Sequence, residues 1–231
     1  MNKEFDNALV LDFPLRGEWM APKSPVDKVP SHGDNRLGQR YAYDFWQVGW
    51  RLGKWKIHRV KKSRYATWGI SRKKFYCYGK EVYAPCDGKI VEMFDGHRDR
   101  RFVHLISDFF IALRRARKFT PKKRGWQPIF GNYIIMECGE NNYALFAHLQ
   151  KHSINVALGE EVKKGKLMGK VGYSGAVNSP RLHFQIMDSS DLAKAKGKPC
   201  KFEKYEQFIS MSWQTITNSM IGKKDIMRYH G

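Results

Sequence analysis

Long apolar runs are missing from this chain. No segment of its 231 residues approaches the ~20 consecutive apolar residues that a membrane span requires. The opening stretch, "MNKEFDNALVLDFPLRGEW", sets acids among its first residues where an export signal would carry a long apolar region. The sequence therefore predicts neither export nor anchoring, and the default expectation is a cytoplasmic chain. Cysteine is scarce too. Cys77, Cys86, Cys138 and Cys200 are scattered without a C-x-x-C spacing, which argues against a zinc knuckle or a redox pair and leaves buried free thiols as the expectation. At 42% hydrophobic and 14% aromatic residues, a chain of this length can bury a core without disulfides or metals to hold it together.

Acid is the third shortage. Asp and Glu number 22 against 42 Lys and Arg, a net charge of +20, and the imbalance is concentrated in two stretches. Between Arg51 and Tyr76 there are ten basic residues and no acid, interleaved with Trp50, Trp55, Tyr65, Trp68, Phe75 and Tyr76. Between Arg98 and Arg124 there are ten more, opposed by Asp99 and Asp108 alone. Such stretches read either as solvated insertions or as an electrostatic footprint for a polyanion, nucleic acid or an anionic cell-wall polymer. Lys61, Lys62 and Arg64 are the candidate contacts for the second reading.

What is present is mostly β pattern. "YGKEVYAPCDGKIVEMFDG" (78–96), "GNYIIMECGENNYALFAHL" (131–149) and "LGEEVKKGKLMGKVGYSG" (158–175) are short apolar runs punctuated by Gly, Pro and Asn, which predicts antiparallel strands with tight turns, one of them over Gly139–Asn142. A weak repeat is visible, with Gly79, Val82 and "GKIV" (88–91) recurring as Gly159, Val162 and "GKV" (169–171). Helical spacing over 102–119 predicts an inserted helix with a cationic end, and Tyr205, Phe208, Ile209 and Trp213 suggest a short C-terminal helix.

The candidate chemistry gathers around histidine. His32 stands in "SHGDNRLGQRYAYDF", Asp44 near the end of that stretch, His148 in "LFAHLQ" and His183 in "NSPRLHFQIMD". Written as a strand, the last segment puts Leu182, Phe184 and Ile186 on one face and Arg181, His183 and Gln185 on the other. In "RYAYDFW" Asp44 shares a face with Ala42 and Trp46. Two imidazoles, a carboxylate and an open position are the donor set of a catalytic zinc. Each residue alone reads more often as an ordinary satisfied group, and His58, His97, His104, His152 and His230 have no comparable setting.

Taken in order, "SHGDNRLGQRYAYDF", "YGKEVYAPCDGKIV", "GNYIIM", "YALFAHLQ", "GEEVKKGKLMGKVGYSG" and "LHFQIMD" resemble the lysostaphin and LytM type of zinc endopeptidase. The resemblance implies a mainly β fold of the duplicated hybrid motif kind, a twisted antiparallel sheet with a groove over it. That domain would span 17–210, with basic insertions at about 51–76 and 98–124 and extensions at 1–16 and 211–231. It also implies Zn²⁺ held by His32, Asp44 and His183, peptide bonds of bacterial peptidoglycan as substrate, and the cell envelope or exterior as the usual workplace. The separation of 12 from His32 to Asp44 exceeds the family's commoner H-x-x-x-D. His148 matches one of two further histidines that assist the reaction, but the other, the first His of H-x-H, is Arg181 here. Arginine stays protonated and cannot act as a base. Arg181 would then steady negative charge in an active site, or mark a family member that turns over poorly and serves as a binding module, or weaken metal binding.

Overall fold

The computed structural model describes residues 5–61, 63–106, 108 and 125–231. Their short β-branched and aromatic runs, cut by glycine turns, form β1 (Leu9–Leu11), β2 (Gly17–Lys23), β3 (Tyr43–Gln47), β4 (Gly49–Arg51), β5 (Lys54–Lys56) and β6 (Ile70–Ser71). There follow β7 (Glu81–Tyr83), β8 (Gly88–Phe94), β9 (Phe102–Val103), β10 (Asn132–Glu137), β11 (Tyr143–Leu149) and β12 (Glu161–Val162). The chain closes with β13 (Leu167–Lys170), β14 (Leu182–Met187), β15 (Gly197–Lys198), β16 (Cys200–Ile209), β17 (Ser212–Ser219) and β18 (Ile226–Tyr229). The mainly β class read from the sequence is the class observed.

A 12-stranded sheet dominates, in the order β1-β16-β18-β2-β3-β14-β11-β10-β8-β12, with β15 on β14 and β17 on β16. It is antiparallel except that β1 runs parallel to β16, so the sheet is mixed rather than purely antiparallel. The weak repeat has a structural counterpart in crosswise pairing. β7, from the first unit, pairs β13 of the second through Val82↔Gly169, and β12 of the second pairs β8 of the first through Val162↔Gly88. The expected turn at Gly139–Asn142 joins β10 to β11, closed by Cys138 N–H to Asn142 O at 2.7 Å.

Two expectations are corrected. The C-terminal region holds strands rather than a short helix: β16 and β17 form a long hairpin with Tyr205↔Ile216 and Phe208↔Trp213 in register, and β18 lies between β16 and β2. The aromatic spacing that resembled a helix there is read out as strand pairs, because Phe208 and Trp213 meet across the ladder at 5.2 Å. The inserted helix does not begin at 102, since Phe102–Val103 form β9 on β6. Residues 107 and 109–119 of that expected helix lie outside the described residues, as does Lys62.

Strand β14 is the axis of the core. Leu182, Phe184 and Ile186 pack into the main apolar cluster with Phe146, Phe202 and Tyr43, while Met187 belongs to a second cluster with Phe130, Tyr133 and Leu192 on the other side. Burying each such side chain stabilises the fold by about 1.5–3 kcal/mol. A strand buried on both faces can carry polar residues only where they are partnered, and Arg181, His183 and Gln185 are all buried.

Candidate metal centre

Sheet register brings the site together. Asp44 on β3 is the direct cross-strand partner of His183 on β14, and His183 in turn faces Ala147, the residue before His148 on β11. Three adjacent strands therefore deliver Asp44, His183 and His148 to one place. His32 comes from the loop ahead of the 3₁₀ segment Arg36–Tyr41, and its ring lies 4.8 Å from that of His183, edge to face. One atom from each of His32, Asp44 and His183 falls within a cluster no wider than 4.8 Å.

Hydrogen bonds fix which nitrogen of each ring faces inward. Gln185 donates its Nε2–H to the Leu37 carbonyl at 2.6 Å, which leaves its Oε1 to accept the His183 Nε2–H at 2.8 Å. The lone pair of His183 is then on Nδ1, 3.1 Å from Asp44 Oδ1. Ser31 spends its hydroxyl proton on the Ala42 carbonyl at 2.7 Å, so its oxygen accepts the His32 Nδ1–H at 3.0 Å. That puts the His32 lone pair on Nε2, 3.3 Å from the same Asp44 oxygen. His148 donates Nδ1–H to the Ser174 carbonyl at 2.9 Å, leaving Nε2 as its acceptor. Each outer nitrogen is thus tied to the backbone, directly or through one side chain, and the tautomers follow.

Three acceptors now face one another. Asp44 Oδ1, His183 Nδ1 and His32 Nε2 converge, and His32 Nε2 is buried without a hydrogen-bond partner among the described residues. Acceptors crowded together in a buried place repel unless a proton or a cation lies between them. Burial disfavours the proton on His32: desolvation pulls its pKa below the ordinary value against the pull of Asp44. The separations of 3.1 and 3.3 Å are close to the ~3.3 Å edge of a tetrahedron with zinc-ligand bonds of about 2.0–2.1 Å. Two imidazole nitrogens and a carboxylate oxygen, all within 4.8 Å of one another, are donors of the kind that suit a zinc ion.

Asp44 is held from its other side. Arg181 Nη1 donates to Asp44 Oδ2 at 2.6 Å, and Nη2 donates to Asn178 Oδ1. Burial alone would raise the Asp44 pKa, yet the Arg181 guanidinium beside it holds the carboxyl well below the usual carboxylate range. His148 is neutral at neutral pH: burial, reinforced by the nearby His183 and Arg181, holds its pKa well below the ordinary value. It sits at the end of β11 with φ 64, a left-handed conformation uncommon outside glycine. The Ser174 that anchors it also donates Oγ–H to the Leu149 carbonyl at 2.7 Å and accepts Asn132 N–H at 3.0 Å. Backbones pass so closely there that a Cβ on Gly131 would lie 2.3 Å from Ser174 Oγ.

The structure thus brings together His32, Asp44, His148, Arg181 and His183. Lys61 and Arg64 are exposed in the β5–β6 connection, where Arg64 lines a cleft of about 130 Å³ with Trp68, Lys74 and Phe102. Sequence reasoning placed Gln185 on the polar face of its strand without giving it a task, and it passed over Ser31 and Ser174. The face shared with His183 was a usable signal for Gln185. For Ser174, 26 residues from His148, only the fold makes the link.

Residues 122–199 match the model of peptidase family M23, a span that holds His148, Arg181 and His183 and leaves out His32 and Asp44. Over 72 residues the chain is 39% identical to the cell division protein DipM of Caulobacter vibrioides, covering 31% of this chain and 11% of that protein. Over 60 residues it is 33% identical to the peptidoglycan DD-endopeptidase ShyA of Vibrio cholerae, covering 26% of this chain and 14% of that one. The chain thus spans about a seventh or less of the length of these two relatives. Among solved structures, the catalytic domain of the antimicrobial peptidase lysostaphin from Staphylococcus simulans is similar at 22% identity, over 66% of this chain and 88% of that chain, with a TM-score of 0.36.

Proposed function

We propose, from the premise that the chain resembles peptidase family M23 over residues 122–199, that it is a zinc-dependent endopeptidase acting on peptide bonds of bacterial peptidoglycan. The observation that carries this reading is the convergence of Asp44 Oδ1, His32 Nε2 and His183 Nδ1 as buried acceptors. His32, Asp44 and His183 would hold the zinc, which when bound polarises a carbonyl and lowers the pKa of a water molecule. Asp44 would contribute Oδ1 alone, because Arg181 occupies Oδ2.

The remaining work falls to the chain's own groups. His148, neutral and with its lone pair on Nε2, takes the proton of the attacking water at that atom and returns it to the leaving amine. Arg181 cannot share that task. It positions Asp44 and balances its charge, so the acid–base step rests on one histidine. A peptidoglycan substrate puts the working place at the cell envelope.

The Arg181–Asp44 pair also favours a second reading, a family member impaired in turnover that binds peptidoglycan or another polyanion, with Lys61, Lys62 and Arg64 contributing charge. Absence of one positioned acid–base group typically costs about 10²- to 10⁴-fold in rate. Metal analysis tests the shared premise of both. Purified protein should hold about one zinc per chain, lost in Asp44→Ala and in His183→Ala; equal zinc content in wild type and both variants would sink the assignment of the ligands.

A further inference from the structure

Two hairpin turns share an odd chemistry. The β4–β5 turn is Leu52–Gly53 and the β16–β17 turn is Ser210–Met211, and all four residues have positive φ, at 53°, 70°, 50° and 67°. Such two-residue turns favour Asn and Gly, because bulky side chains strain in the left-handed region. Here each carries a large apolar residue there, and each is open to solvent: Leu52 is 82% exposed and Met211 is 77% exposed. A turn that accepts both backbone strain and an exposed apolar side chain points to a use for that side chain.

Both turns spring from one aromatic cluster. Trp50 and Trp55 face each other across β4–β5 at 5.1 Å, and Trp55 meets Phe208 at 5.8 Å and Trp213 at 6.2 Å on β16–β17. Trp50, two residues from Leu52, is itself 51% exposed. Cations stand directly behind: Arg51↔Lys54 is the rung next to the first turn, Lys56 lies two residues further, and Arg228 covers the Trp213 ring at 4.3 Å. No acid occurs between Arg51 and Tyr76 to offset Arg51, Lys54 and Lys56, whereas Arg228 is paired with Glu206 Oε2 at 2.8 Å.

We propose that these two hairpin tips seat the protein on an anionic lipid bilayer. Isolated apolar side chains on convex turns have no concave wall to pack against, and a fluid apolar phase receives them without one. Tryptophan behind the tips suits the headgroup layer, and the cations suit anionic headgroups. A sugar polymer would stack on the ring faces but gains little from Leu52 or Met211. The inference does not rest on the metal centre.

The test is co-sedimentation of the full chain with phosphatidylcholine vesicles, with and without phosphatidylglycerol. Wild type should sediment only with the anionic vesicles. Leu52→Asn with Met211→Asn should lower the bound fraction at least about 10-fold, and its Tm should hold or rise because Asn suits both turns. Arg51→Glu with Lys54→Glu should remove the preference for phosphatidylglycerol. Wild type left in the supernatant of both vesicle types would overturn the proposal and return the surface to a protein partner. Undiminished binding by the Asn double variant would overturn it as well.

Discussion

Arg181→Met removes the 2.6 Å donor to Asp44 Oδ2 and keeps a side chain of comparable reach. Asp44 is only 3% exposed, so its carboxylate would be left in a buried place facing two imidazole lone pairs. Breaking one partner of a buried ion pair costs roughly 3–5 kcal/mol. Asn178 and Trp46 beside Arg181 give no replacement charge, and the lower end of that range, about 3 kcal/mol, sets the smallest loss expected. At about 2–4 °C per kcal/mol for a chain of this size, Tm in the presence of a chelator should fall by about 6–12 °C. A divalent cation among the same acceptors supplies the lost positive charge, so excess zinc should recover half of the loss or more. Calorimetry with chelator and with zinc reads both. A Tm within about 2 °C of wild type in chelator, against that expected fall, or an equal loss with and without zinc, would refute the claim that Arg181 compensates Asp44.

Three further outcomes follow from the same geometry. Gln185→Leu frees the His183 tautomer and should weaken zinc binding about 10- to 100-fold, whereas Gln185→Glu, which still accepts from His183 Nε2–H, should lose less; equal affinities in competition with a chromogenic chelator would count against the tautomer lock. His148→Ala should lower peptide cleavage by about 10²- to 10⁴-fold while zinc content is unchanged, and a parallel loss of zinc would make His148 a ligand instead. Burial pushes the Cys77 and Cys200 thiols up to about 12, so both stay protonated at pH 8 and native protein should leave them unlabelled by a thiol reagent until it is unfolded. Rapid labelling of either in the folded state would contradict their placement in the core.

The alternation of "RLHFQIM" and of "YAYDFW" is period-2 chemistry, and it is sufficient to put His183 on a polar face and Asp44 on a face with Ala42 and Trp46. Their pairing across β3 and β14 needs register, a long-range property, and the Arg181–Asp44 contact likewise joins residues 137 positions apart. The sequence resemblance supplied the proposed ligand set, and the outward-tied rings of His32 and His183 leave their lone pairs facing Asp44. Among the readings of Arg181, which holds the place of the first His of H-x-H, one had it steadying negative charge in an active site. Its side chain instead turns to Asp44 and Asn178, a choice set by the buried carboxylate rather than by strand period. The C-terminal aromatics were misread because Tyr205, Phe208, Ile209 and Trp213 sit at intervals that suit a helix face and also the rungs of a hairpin. Nothing local separates the two; pairing with β18 and packing of Tyr205 in the main core decide it.

The central claim is that this centre hydrolyses peptide bonds with Arg181 in place of a second histidine. Purified peptidoglycan digested with zinc-reconstituted protein, its products read by mass spectrometry for new amino termini, tests it most directly. The account predicts new termini with wild type, few or none with His148→Ala, and a faster release with Arg181→His. Zinc-loaded wild type and Arg181→His that both leave the peptidoglycan intact would contradict it.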